Sequence, residues 1–395
     1  MPADLPYLSR NYSSIASAVS HQRLSSPALK VSVYPGDDNF KNNIIFNPSW
    51  IVNSGWCDAM VSLYDLACSQ SIEIATSDIV PLQEADIILF VNLPRFQQSV
   101  FDVRELSPHA RLVLLACESP AVQPHSLVPA NLSIFDAVFT YSQSLVATSA
   151  NCYLMPPGCG YIPKQPPSFI PFNQRRFAVL VNSNINTGVL RSPRPWQVID
   201  PFISIRSNGW TLPVRRAIYT LIHTRYYMRR RFAKAALKLG IEDFDIYGRG
   251  WEPLRSGWFY RFFPEKSSPH WRGTLNADKL DTLCHYKYTF CYENYAANDG
   301  YISEKIFDAL AAGSVPLCFG DCRLKQWFPP GCVVFRDDYP SDVAMLRDLL
   351  NWSESMWLSY YNSSQAFIRS DRFKRFLPDT FARRVIDVTS HDLCR

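Results

Sequence analysis

Residues 287–321 hold a short apolar run (Tyr288-Thr289-Phe290-Cys291), a polar loop reaching Gly300, and the pentad Tyr301-Ile302-Ser303-Glu304-Lys305. A helical pattern and a second apolar run, Val315-Pro316-Leu317-Cys318-Phe319, follow. Ile306, Phe307, Ala309 and Leu310 recur at helical spacing, which predicts a helix over 305–312 that Gly313 ends. Strand, helix, strand in that order is the repeating unit of α/β folds. Ser303 is placed as N-cap, its hydroxyl accepting from an orphan amide of the first turn, and Glu304 suits the positive end of the dipole. A helix head behind a glycine-bearing loop is an anion site, and this one brings its own lysine and carboxylate. The chemistry suggested is a diphosphate held by amides and Lys305, with ribose hydroxyls bridged by Glu304. The plain alternative is an ordinary strand-helix-strand unit with Glu304 and Lys305 as a solvated pair.

At 395 residues the chain exceeds what one core usually supports, so two domains are expected. Hydrophobic residues at 47% and charged residues at 19% are ordinary for a globular protein. A net charge of +5 with a pI near 8.6 favours anionic ligands and is too weak to argue nucleic acid. The 11 cysteines are scattered without a close C-x-x-C pair, so they read as reduced and buried, and no metal pattern is assigned. Residues 1–28 have no apolar run long enough for a signal peptide or a membrane span, which points to the cytosol. The N-x-S triplets at Asn11, Asn131, Asn351 and Asn362 point the other way.

Past an extension over 1–28, a first α/β domain is read over 29–165. Its strands are Val31–Tyr34, Ile72–Ala75, Ile87–Val91, Leu112–Ala116, Phe135–Thr140 and Tyr153–Met155, with a helix over 58–68. The apolar run at 111–117 stops abruptly at Glu118-Ser119-Pro120. A carboxylate at the mouth of a buried strand is where a general base with a raised pKa can be placed, although a loop acid is the plainer reading; His125 is a weaker alternative. Prolines 156, 157, 163, 166, 167 and 171 are too dense for a regular element, and the hinge is set at 166–176. A second domain over 177–375 opens on the strand Phe177–Val181, and 376–395 is left as a tail. Helices are expected over 342–351 and 356–369, the latter packing back across the hinge. The basic run 223–234 (HTRYYMRRRFAK) reads as a solvated helix face, with contact to acidic lipid or nucleic acid as weaker options.

These residues resemble the signature of the family 10 glycosyltransferases, the α1,3/4-fucosyltransferases. The family has an aromatic-Glu-Asn (here Tyr292-Glu293-Asn294), then Tyr-x-[Ser/Thr]-Glu-Lys (Tyr301 to Lys305), then a Val-Pro strand ending in Gly (Val315-Pro316 to Gly320). Glu118-Ser119-Pro120, followed by Phe135-Asp136, matches a thinner island, as does Asn182-Ser183-Asn184 closing its strand. The sequence departs at Tyr295, where the family more often has serine, and in the length of the loop 296–300.

The resemblance implies a GT-B type α/β fold, with two Rossmann-like domains facing each other across a cleft. It implies an inverting transfer of L-fucose from GDP-fucose to a glycan hydroxyl. Glu118 would be the base, and Arg230, Glu293, Asn294, Tyr301, Glu304 and Lys305 would bind the donor. Arg230 is chosen by counting back from Leu237 to the family's phosphate-binding arginine; Arg229 or Arg231 fits with a shift of one. GDP-fucose is then a substrate, with no cofactor and no divalent metal called for. The partners implied are that donor and a glycan acceptor, not nucleic acid; residues 223–234 offer a peripheral membrane contact. A transferase for another nucleotide sugar and a silent nucleotide-sugar binder are the competing functions.

Overall fold

The computed structural model describes residues 29–48, 55–94, 98–119, 123, 126–183, 226–251, 268–294 and 299–391. In the first half, β1 (Leu29–Tyr34), α1 (Gly55–Ser69), β2 (Ile72–Thr76), β3 (Ile87–Val91) and α2 (Gln98–Leu106) precede β4 (Arg111–Ala116). Then come α3 (Pro129–Leu132), β5 (Ala137–Thr140), α4 (Gln143–Thr148) and β6 (Cys152–Leu154). The strands form one parallel sheet in the order β2-β1-β3-β4-β5-β6. Parallel strands need covered faces, and β4 shows why its sequence is unbroken apolar. Leu112, Leu114 and Ala116 enter the core on one side, Val113 and Leu115 the core on the other, and all five are fully buried.

The second half contains β7 (Arg176–Val181), α5 (Tyr226–Lys238), β8 (Phe244–Tyr247), α6 (Lys279–Leu283), β9 (Tyr286–Tyr292) and α7 (Glu304–Ala311). β10 (Val315–Phe319), α8 (Leu324–Trp327), β11 (Val334–Phe335), α9 (Asp342–Leu350), α10 (Glu354–Ile368) and α11 (Pro378–His391) complete it. Its parallel sheet runs β11-β10-β9-β7-β8. On β9 the alternate residues Tyr288, Phe290 and Tyr292 face α5, where Phe232 lies 4.4 Å, centroid to centroid, from Phe290. Gly313 ends α7 as expected, at φ +66°; a Cβ there would stand 2.7 Å from the Tyr361 ring.

Helix α10 packs onto the hinge, with Tyr361 against Phe169 and Trp357 against Phe172, and its core contacts are with the second domain. Trp357 is buried against the second sheet and donates to the Lys287 carbonyl at 3.0 Å, while Phe367 and Ile368 pack beneath α7. The helix that returns is α11, in the stretch read as a tail. Phe381, Ala382, Val385 and Ile386 form its apolar face and join Ala59, Met60, Leu63 and Ala67 of α1 in the first domain's core. The chain thus crosses between the halves twice, and the crossings touch: the Gly160 amide donates to the Phe376 carbonyl at 2.9 Å. Arg175, at the head of β7, fastens the linker. Its guanidinium donates to the carbonyls of Ile170, Tyr286 and Gly313 and lies 4.7 Å from the Trp357 ring. Burial lowers its pKa to about 10.

Ligands of such sheets collect outside the carboxyl ends of the strands. Here those ends carry Glu118 after β4, Tyr141 after β5, and Glu293-Asn294 after β9. Tyr141 from the first half and Tyr301 from the second pack edge to face at 5.0 Å, so the two mouths meet. Among the described residues no disulfide is formed, and no helix is long and apolar enough to cross a membrane.

Candidate active site

The head of α7 is built around a buried carboxylate. The Glu293 amide donates to the Phe319 carbonyl at 2.9 Å, extending the β9–β10 ladder, and its side chain is turned inward, 2% exposed. That carboxylate accepts from the Ser303 amide at 2.8 Å and from the Ser303 hydroxyl at 2.7 Å, with the Lys305 ammonium at 3.4 Å. Ser303 does occupy the N-cap, in an extended conformation, but the predicted cap bond is absent: its side chain makes no hydrogen bond to the first turn. The reason is competition. A carboxylate is a stronger acceptor for the hydroxyl proton than solvent, and the hydroxyl's lone pair takes the Lys305 ammonium at 2.7 Å. The first-turn amides are therefore left to another acceptor, as an anion site requires.

Charge at the helix head is finely opposed. Burial alone would lower the Lys305 ammonium, but Glu293 and Glu304 raise it above the ordinary lysine range. Burial would push the Glu304 carboxyl up, but Lys305, at 3.5 Å, and then Lys279 bring it down to about 2. Behind them, Asp308 lies one turn after Glu304 and is 3% exposed. It holds Lys279 in an ion pair and accepts from the Tyr161 hydroxyl of the linker at 2.9 Å.

A second cation converges on this point. Arg229 on α5 is 1% exposed; it donates to the Ser183 carbonyl at 2.8 Å and to the Asn294 carboxamide oxygen, and its charge opposes that of Lys305. Two buried cations acting on one another at a helix head suit an anionic ligand with several oxygens. The sequence count selects Arg230, which is half-buried on the helix; the neighbour one position earlier is the one in the cluster. Arg231 and Lys234 are exposed, so the basic run divides between one buried arginine and an outer solvated face.

Across from the helix head, Glu118 closes β4. Its backbone is pinned by Asn92, whose carboxamide oxygen accepts the amides of both Cys117 and Glu118 at 3.0 Å. Asn92 sits just past β3 at φ +63°, and its own amide bonds to the Leu115 carbonyl at 2.9 Å. Burial raises the Glu118 carboxyl above the ordinary glutamate value; Lys305 pulls it down in part and Glu304 pushes it up. Glu118 follows β4, the neighbour of β5, and Tyr141 after β5 packs on Tyr301, so Glu118 lies at the cleft where the other domain's helix head enters. Tyr301 lies between, buried against Tyr141 in the field of Glu293, Glu118 and Glu304.

Glu118, Glu293, Asn294, Tyr301, Glu304 and Lys305, named from sequence, are thus gathered at one place. His125 lies outside the described residues. Sequence reading missed Asn92, Tyr141 and Asp299 altogether. For Asn92 a signal existed: an asparagine directly after an apolar strand tolerates the left-handed backbone. Among the described residues no cluster of three or more histidine, cysteine, aspartate or glutamate side chains is arranged to hold a metal.

Two parallel sheets, each flanked by helices and joined by a linker from β6 to β7, with charged residues at the facing strand ends, define a GT-B type glycosyltransferase fold. The DNA modifying enzyme beta-glucosyltransferase shares it, with a TM-score of 0.50 at 9% identity over 91% of this chain and 100% of that one. An alpha1,3-fucosyltransferase structure with GDP-fucose aligns with a TM-score of 0.49 at 15% identity, over 95% of each chain. Residues 242–379 match the family described as Glycosyltransferase family 10 (fucosyltransferase) C-term. The human 4-galactosyl-N-acetylglucosaminide 3-alpha-L-fucosyltransferase 9 is 30% identical over 92 residues, 22% of this chain and 25% of that protein. The chain therefore spans about a quarter of the length of such curated relatives.

Proposed function

We propose that this chain is an inverting fucosyltransferase that moves L-fucose from GDP-fucose to a hydroxyl of a glycan. The observation that carries the reading is Glu118, at the mouth of the first domain, in the field of Lys305 and Glu304 at the helix head of the second, with Arg229 acting on the same lysine. Sugar transfer needs a base for the acceptor and charge stabilisation for the departing diphosphate, and each half supplies one. Glu118 takes the acceptor's hydroxyl proton, the oxygen attacks the anomeric carbon, and the bond from that carbon to the diphosphate breaks with its electron pair leaving on GDP. Arg229, Lys305 and the α7 amides meet that charge, Tyr301 closes the phosphate side, Asn294 orients Arg229, and Glu304, held ionised, accepts from the ribose hydroxyls.

A raised pKa makes Glu118 a better proton acceptor than an ordinary glutamate, while Glu293 is already engaged by Ser303 and Lys305. One displacement, with inversion, follows from a single available base. The human relative's name supports an N-acetylglucosamine-containing acceptor and a 3-linkage. A cytoplasmic setting suits the buried thiols of Cys159, Cys291 and Cys318.

The test is a donor screen in which the purified protein is incubated with each common nucleotide sugar and released nucleoside diphosphate is measured. GDP-fucose should give the largest release, and Glu118→Gln should reduce it by about a hundredfold while GDP affinity stays nearly unchanged. Release from another sugar nucleotide alone would overturn the donor, and full activity in Glu118→Gln would overturn the base.

A further inference from the structure

The segment that leads into the helix head is fastened to the opposite domain. Asp299, two residues before Tyr301, is only 15% exposed although it lies in a loop. Its carboxylate accepts from the Ser142 hydroxyl, from the Ser144 hydroxyl at 2.8 Å and from the Ser144 amide at 2.9 Å, all at the start of α4 in the first domain. Its carbonyl accepts from the Gln143 amide at 3.2 Å. Arg323, from the second domain, donates to the Gln143 side chain at 2.8 Å and stands 3.8 Å from Asp299. Gly300 makes the approach possible: it has φ +98°, and a Cβ would meet the Tyr141 carbonyl at 2.8 Å. Its amide is held on the other side by Asp321.

We infer that Asp299 is a positioning residue for the transfer reaction, the latch that sets the separation between Glu118 and the donor-binding helix. Its partners directly follow β5, and Glu118 directly follows the neighbouring β4. Neighbouring strands lie about 4.8 Å apart. The latch therefore acts close to the reacting groups, and it adds to the two covalent crossings, which pass behind the helix head, where Cys159 and Phe376 pack with Ile306 and Phe307 and Tyr161 reaches Asp308. A base misplaced by an ångström loses most of its effect. The inference rests on the proposed pairing of Glu118 with the donor site.

Asp299→Ala and Asp299→Asn decide it, with Gly300→Ala as an independent variant that pushes the same contact apart. Three quantities are read: GDP affinity by calorimetry, turnover with GDP-fucose, and radius of gyration by solution X-ray scattering. Asp299→Ala should lower kcat about tenfold or more, leave GDP affinity within about twofold, and enlarge the radius of gyration. Asp299→Asn, which keeps an acceptor oxygen, should recover part of both changes, and Gly300→Ala should follow the alanine variant. An unchanged radius together with unchanged kcat in Asp299→Ala would overturn the latch. A joint fall of kcat, GDP affinity and melting temperature in both Asp299 variants would overturn it too, by making the residue structural. If the wild-type protein consumes no nucleotide sugar, the functional reading fails, and the scattering result alone then supports or overturns the latch.

Discussion

The two mouths of the cleft are built on opposite plans. On the proposed donor side each charged group is held by a fixed partner: Glu293 holds Ser303 and Lys305, Lys305 holds Glu304 ionised, and the Asn294 carboxamide holds Arg229. On the acceptor side a single carboxyl, Glu118, is fixed through its backbone by Asn92 while burial raises its pKa. The difference fits the roles proposed for the two sides, a diphosphate site at the helix head and a base at Glu118. A site for a diphosphate works best when its charges do not move, so it is preorganised and paired. A base has to change its protonation state, and a close ionic partner would trap it as the carboxylate.

The largest effect should come from breaking the paired side. Lys305→Ala removes a cation facing the departing diphosphate, about 3 kcal/mol in the transition state or roughly a hundredfold in rate. It also strands the Glu293 carboxylate, and an uncompensated buried charge costs about 3–5 kcal/mol of stability. Activity and melting temperature should both collapse. Pairing the change with Glu293→Gln should restore the fold and leave the activity low, a split that calorimetric melting and a turnover assay read separately.

Arg229→Met should weaken GDP binding by about tenfold, since a hydrogen bond to a charged group is worth roughly 1.5–3 kcal/mol, whereas Arg230→Met should change it by less than about twofold. The reverse order in calorimetry would return the role to Arg230.

The acceptor side should show itself in pH. Because Glu118 must be ionised to act, activity should rise with pH through a limb lying above the ordinary glutamate value of 4.5. A folded-state pKa raised above the unfolded one means that ionised Glu118 works against the fold as pH rises through it. Glu118→Gln should therefore raise the melting temperature slightly at neutral pH while abolishing most turnover. Glu304 has the opposite sign: its pKa is depressed, so its stabilisation is complete above about 4.5 and is lost as pH falls toward about 2. Acid unfolding of the wild type should have a component in that window that Glu304→Gln lacks.

The donor side was legible because its chemistry is local. Glu293 to Lys305 are close in sequence, the helix between β9 and β10 announces itself by spacing, and Gly313 stops it where glycine should. The strands of the first sheet were readable for the same reason: burial on both faces leaves an unbroken apolar run such as 112–116. What escaped depends on pairs far apart in the chain. The Ser303 hydroxyl turns to Glu293 because a buried acceptor lies there, which no cap rule can foresee. Asp299 meets Ser142 across the cleft, and Asn92 meets Glu118 across two strands. The choice among Arg229, Arg230 and Arg231 was not legible, since a count along a helix tells which turn carries a residue but not which side is buried; Arg229 is the buried one of the three. Helix α11 was passed over as a tail because its apolar face has no partner nearby in sequence.

That helix has a consequence for how the protein is made. The face of the first domain formed by Ala59, Met60, Leu63 and Ala67 is covered by Phe381, Ala382, Val385 and Ile386. During synthesis at about 5–20 residues per second, that face waits on the order of tens of seconds for its cover, while the second domain is made and released. The domain that is translated first is thus the last to be finished, and its exposed patch in the meantime is the kind of surface that chaperones bind. A ribosome that stops after residue 377 would leave a donor-binding half with all its parts beside an acceptor half that cannot close its core.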